Sequence, residues 1–147
     1  MSSTQAIVSG VAGASALNLA HQALQGVTVD APRMEILGMR AMKKGFEAAG
    51  EEVPPRSELY PLTLMGDLIS NSGYYSLVGL AKPEHAIVTG AALGLAAGVG
   101  AVTLPGPMGL GDEPSNRTAQ TTGMTVGLYL LGGLVAGITY SLISKRK

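Results

Sequence analysis

The sequence predicts an all-α integral membrane protein: four transmembrane helices in a bundle, with one amphipathic helix outside the membrane between the first two spans. Three observations carry this expectation. Charge is confined to short stretches, since residues 1–29, 85–111 and 118–144 hold no Asp, Glu, Lys or Arg, and between Leu59 and Ala81 there is only Asp67. Each charge-poor stretch has the ~20 residues that a helix needs to cross a hydrocarbon core. Within them Gly and Ala recur every four residues, a spacing that lets helix backbones approach closely in lipid. The alternative, a soluble Gly/Ala-rich α/β protein, is kept open by a mean hydropathy of only +0.30.

At 147 residues the chain is a single domain. Ten basic and ten acidic residues balance, so no basic footprint for nucleic acid exists. The absence of cysteine excludes disulfides, thiolate metal sites and cysteine nucleophiles. The partners to expect are the lipid bilayer and either a second copy or a larger membrane complex.

The first span is expected over residues 6–24. Ala6, Gly10 and Ala14 form a small-residue ridge that Asn18 and Gln22 continue, and Asn18, His21, Gln22 and Gln25 make the last turns polar. Ala14-Ser15-Ala16 could serve as a leader cleavage site, but Met1–Gln5 offers no Lys or Arg for an n-region, so a span is expected instead. Residues 32–49 are too short and too charged to span. They mix Met, Ile, Leu and Phe with basic groups, as in a helix lying at the interface or capping the bundle, with Asp30 as N-cap, Gly50 as stop, and Met34, Leu37 and Ala41 facing inward.

The second span is expected over 61–80, anchored by Tyr60 after a stiff Pro54-Pro55 linker. Leu80–Glu84 is a tight connection to the third span, 85–104, which makes spans two and three antiparallel. Here Gly90, Gly94 and Gly98 mark a close helix contact, and Ala92, Ala96 and Gly100 form a second ridge. Breakers from Pro105 to Arg117 form a loop. The fourth span, 123–143, repeats the pattern with Gly123/Gly127 and Gly133/Gly137. Ala6-Ile7-Val8-Ser9-Gly10 recurs as Ala86-Ile87-Val88-Thr89-Gly90, and Tyr75-Ser76-Leu77-Val78 resembles Tyr140-Ser141-Leu142-Ile143, as two parallel-related hairpins would give. The terminal Lys145-Arg146-Lys147 favours both termini on the cytoplasmic side of a multi-pass chain, whereas Arg33, Arg40, Lys43 and Lys44 of the 32–49 helix argue the reverse.

No nucleotide-binding or hydrolase motif occurs, so an enzyme would have to use Asp67, His21 and a hydroxyl such as Ser70 in an arrangement outside any motif, and no catalytic residue is assigned. His21 and His85 fall at opposite faces of the bilayer and cannot share a metal or haem, and no cofactor or metal site is expected. What remains is Asp67, with Asn71 one turn later on the same face. An acid inside a span normally faces a bundle interior or a wet cavity. Asn18 and Asp67 lie at matched depths, roughly 9 Å below the same surface, with His21 and Gln22 one turn nearer water. Asn18, His21, Gln22, Asp67, Ser70 and Asn71 are therefore the expected polar intramembrane site. It suits a small binding or structural membrane protein, an accessory subunit for instance. The same residues would serve an oligomeric channel or transporter for a small solute, cation or proton using Asp67. An interhelical hydrogen bond that only locks spans one and two is the purely structural alternative, contributing about 0.6–2 kcal/mol.

Overall fold

The computed structural model describes residues 2–145. Met1, Arg146 and Lys147 lie outside the described residues, and with the last two goes most of the terminal basic run on which orientation was read. The described chain is all helical, without a strand: α1 (Ser3–Gln25), α2 (Met34–Ala48), α3 (Arg56–Ser76), α4 (Ala86–Thr103), α5 (Glu113–Asn116) and α6 (Ala119–Ser144), with short 3-10 turns at Leu77–Leu80 and Pro83–His85.

Two helices are long and apolar enough to cross a membrane, Pro83–Thr103 and Ala119–Ser144. These are the expected third and fourth spans. α1 and α3 match them in length but not in hydropathy, because Asn18, His21, Gln22 and Gln25 fill the end of α1 while Arg56, Glu58 and Asp67 sit in α3. The second helix also starts and stops earlier than expected. α3 opens five residues before Pro61, which it accommodates, and gives way at Leu77 to a 3-10 turn. Two further expectations are corrected. Asp30 does not cap α2, which starts after Arg33, and the breaker-rich loop contains the four-residue helix α5.

Glycine packing sets the architecture. A Cβ on Gly90 would strike the carbonyl oxygen of Gly133, one on Gly94 would lie 2.5 Å from that of Tyr129, and one on Gly98 would lie 2.8 Å from Val126 Cα. From the other side, a Cβ on Gly137 would lie 2.5 Å from the Ala86 carbonyl oxygen. α4 and α6 are thus antiparallel and in backbone contact along most of their length. α1 runs antiparallel to both α3 and α6. Gly10 sits on the Ser72 and Ser76 backbone, and Gly13 faces Gly132 and Ala136. The Gln5 side-chain amide donates to the Ile143 carbonyl at 2.9 Å near the terminal end. Not every expected ridge packs. Gly123 and Gly127 have nothing within 4 Å of an added Cβ, and Ala92 and Ala96 are exposed. A four-residue spacing defines a face, but only the neighbouring helix decides whether that face is covered.

The two hairpins repeat one contact. Gly10 meets a carbonyl and the amide four residues on, Ser72 and Ser76, just as Gly90 meets Gly133 and Gly137. The tyrosine match is displaced by four residues from this register, so only the first half of the sequence repeat has a structural counterpart. The repeat is also unequal. Where α4 continues with Gly94 and Gly98, α1 has Ala14 and Asn18, and the first hairpin parts there. A second inequality follows: α1 closes on α6, whereas α4 barely touches α3. The positions matching Gly13 and Gly132 are Leu93 and Asn71, too large for backbone contact. Instead the Tyr74 hydroxyl reaches across and donates to the Leu93 carbonyl at 2.7 Å.

α2 lies over the end of the bundle, packed on α3 and α5. Leu37 is buried and Met34 half-buried, and Ala41, though exposed, faces the same side toward α4, so the three expected inward positions share one face. The helix is tied to the α4–α6 connection. Arg40 donates to the Leu110 carbonyl at 2.6 Å and to Glu113 at 2.7 Å, and Lys44 donates to the Met108 carbonyl at 3.1 Å. Arg117 donates to the Val29 and Ala31 carbonyls, and the Thr121 hydroxyl to that of Asp30, which fixes the chain entering α2.

Candidate functional site

Asp67 lies eleven residues into α3, roughly 16 Å along its axis, farther from the helix start than the expected span gave because the helix begins at Arg56. It still faces the polar end of α1, since the first turns of α3 extend past Gln25 toward α2. The side chain is half-buried. Its Oδ1 accepts a hydrogen bond from the Asn71 side-chain amide at 3.0 Å, the i to i+4 pair expected from sequence.

Beside it is a cavity of about 40 Å³, lined by Asn18, His21, Gln22 and Gln25 of α1, Met34, Glu35 and Gly38 of α2, and Tyr60, Thr63, Leu64 and Asp67 of α3. A water needs about 10–15 Å³ on this measure, so the space admits two or three water-sized groups. It exists because Asn18 stands where the second hairpin has Gly98, while Gly38 lets α2 settle onto the Thr63 methyl group, 2.5 Å from where a Cβ would be. Thr63 offers the cavity no free donor, since its hydroxyl is engaged by the Leu59 carbonyl at 2.8 Å.

His21 behaves differently from expectation. Its Nε2 lies 2.7 Å from the Pro32 carbonyl oxygen. A carbonyl only accepts, so Nε2 carries the proton. The Gln25 amide donates to the same carbonyl at 3.1 Å and to Glu35 Oε2 at 2.9 Å, and that oxygen lies 3.8 Å from His21 Nε2. The imidazole thereby lines the cavity while its proton secures the segment leading into α2. Asn18, His21 and Asp67 share the cavity wall, and the Asn18 amide comes close enough to act on the Asp67 carboxyl as a hydrogen-bond partner.

Of the six residues expected from sequence, Asn18, His21, Gln22 and Asp67 line one cavity, and Asn71 joins through Asp67. Ser70 does not join them. It is exposed, and its hydroxyl returns to the Gly66 carbonyl at 2.6 Å. The sequence reading missed Glu35, Gln25 and Tyr60 as wall residues. Glu35 is two positions before Leu37 on an amphipathic helix, and only the placement of α2 over the cavity brings it in. His85 lies at the opposite end of the bundle from His21, as the parallel course of α1 and α4 requires.

The electrostatics of the wall are one-sided. It includes two carboxylic acids, Asp67 and Glu35, three side-chain amides and no Lys or Arg. Two of the nearby cations are committed elsewhere, Arg40 to Glu113 and Leu110, Arg117 to Val29 and Ala31, while His21 is part of the wall itself. Such a site can accept hydrogen bonds from a small cation or donor and stabilise positive charge. No family model, curated protein or solved structure matches this chain.

Proposed function

We propose that the chain is a four-span membrane protein that binds a small ammonium-type cation in the Asp67 cavity. The observation that carries the reading is the wall itself: Asp67 and Glu35 with amides, free of Lys and Arg, sunk at one end of a helical bundle. Membrane residence for α1 and α3, beyond the two apolar helices, is supported by how the surface is divided. Ile7, Val8, Val11 and Leu19 of α1 point outward, as do Met65, Leu68 and Ile69 of α3, Val88, Leu95 and Val99 of α4, and Leu131, Ile138 and Leu142 of α6. The inside is packed by glycines and alanines together with Tyr75, Val78, Leu128, Tyr129 and Tyr140. A monomeric soluble protein rarely leaves so much contiguous apolar surface in water, whereas a bilayer needs it.

Binding is favoured over conduction by the packing beyond Asp67. Toward the terminal end, Ala14, Tyr75, Val78 and Ala136 are fully buried, and the Tyr75 hydroxyl donates to the Tyr129 carbonyl at 2.7 Å. A conduit through one copy would have to pass this plug.

The test is thermal unfolding in nanodiscs with methylammonium chloride. A ligand held only by the folded state at a hundred times its Kd adds about 2.7 kcal/mol, and the melting temperature should rise accordingly. Asp67→Asn keeps the hydrogen-bonded pairing with Asn71 but removes the charge. It should fold normally and lose the methylammonium response, and Glu35→Gln should weaken it. An equal rise in Asp67→Asn would overturn the reading.

A further inference from the structure

The open seam between α3 and α4 forms a second space that shares Met34, Gly38 and Asp67 with the polar cavity. It is a groove of about 450 Å³ with a floor of small residues, Ala96, Ala97, Gly100 and Ala101, ending at Tyr74 on one side and at Leu104 beneath α2 on the other. It is the position at which the second hairpin, were it to repeat the first, would close on its neighbour. The Tyr74 hydroxyl crosses this seam to the Leu93 carbonyl at 2.7 Å.

We infer that this groove seats the alkyl chain of a single-chain amphiphile whose ammonium head lies at Asp67. The inference rests on the cation reading above and deepens it by naming the ligand class. Shape selects the occupant. The floor is a narrow strip of Ala and Gly that runs directly into one carboxylate, which matches a single slender chain with a cationic head. Charge fixes the orientation. Asp67 is the one ionisable residue that lines both spaces, so a molecule spanning them places its cation there and its apolar part over Ala97 and Gly100. Lipid tails are as apolar as the groove, so the chain gains little by moving in from the bilayer. Affinity then comes from the head, and the groove decides where the tail lies.

Position is therefore the quantity to measure. The probe is dodecylamine bearing a diazirine at the far end of its chain, photolysed with the protein in phosphatidylcholine nanodiscs and mapped by mass spectrometry. Adducts are expected on residues 96–104 of α4. Excess methylammonium chloride or Asp67→Asn should lower them about tenfold or more. Gly100→Leu should move them out of the groove, and because an added Cβ there meets only the Leu104 side chain at 3.5 Å, that variant should remain folded, as circular dichroism will report. Gly127→Leu, on an open face, should change nothing.

Adducts spread evenly over outward residues such as Ile7 and Leu131, with methylammonium stabilisation still dependent on Asp67, would overturn the groove and leave the cation pocket standing. Loss of Asp67 dependence in both measurements would overturn both. Adducts bridging two copies of the chain through residues 96–104 would put a second chain in the groove and end the proposal.

Discussion

Glu113 is exposed, yet the hydrogen bond from Arg40, 2.7 Å away, holds its carboxyl below the usual glutamate range. A carboxylate with a depressed folded-state pKa contributes stability above its unfolded value, and that contribution is lost as pH falls through the folded value. The pair fastens α2 to the α4–α6 connection, so its loss should appear first as faster hydrogen exchange in residues 34–48. Wild type and Glu113→Gln should differ in that exchange at pH 7 and converge below the ordinary glutamate range, about 4.3. A difference that widens on acidification would remove Glu113 from this role. His21 shows why single residues were only partly legible. Its chemistry and depth could be read from the sequence, but its proton goes to Pro32, and no spacing reveals that the chain turns back there.

At the scale of the helix, backbone contact decides which glycines matter. Gly94→Leu sets a Cβ 2.5 Å from the Tyr129 carbonyl oxygen, a backbone atom that no rotamer change can move. Overpacking of this kind costs about 1–3 kcal/mol, more than the gain of about 0.5–1 kcal/mol from removing a helical glycine. Gly127→Leu has nothing within 4 Å and should be neutral or slightly stabilising. Thermal melts of the two variants in the same detergent should therefore diverge, and equal midpoints would show that the α4–α6 seam is not a close contact. Gly90, Gly94, Gly98, Gly133 and Gly137 were legible because they dominate an otherwise apolar stretch. Gly123 and Gly127 carry the same spacing and were misread, since period identifies a stripe without saying what lies against it. The boundaries of α3 were obscured by Pro61, which marks a helix start in most contexts and here sits inside one.

For the molecule as a whole, the repeat of Ala6–Gly10 in Ala86–Gly90 was visible in the sequence, and it corresponds to a repeated helix contact. The groove was not visible. It depends on which pairs of helices close, and α4 and α3 carry Leu93 and Asn71 at the positions where α1 and α6 carry Gly13 and Gly132. The two hairpins consequently differ in mechanical character. α4 and α6 interlock through successive glycines, whereas α1 and α3 touch closely only near the terminal end and part around Asn18. A load applied through the chain ends should find this difference. On the proposed four-span arrangement, single-molecule pulling from a bilayer should extract α1 and α3 first and separately, at lower force, and α4 with α6 should then yield together in one larger rupture. Four evenly matched rips would mean that the glycine interlock gives the second hairpin no resistance of its own.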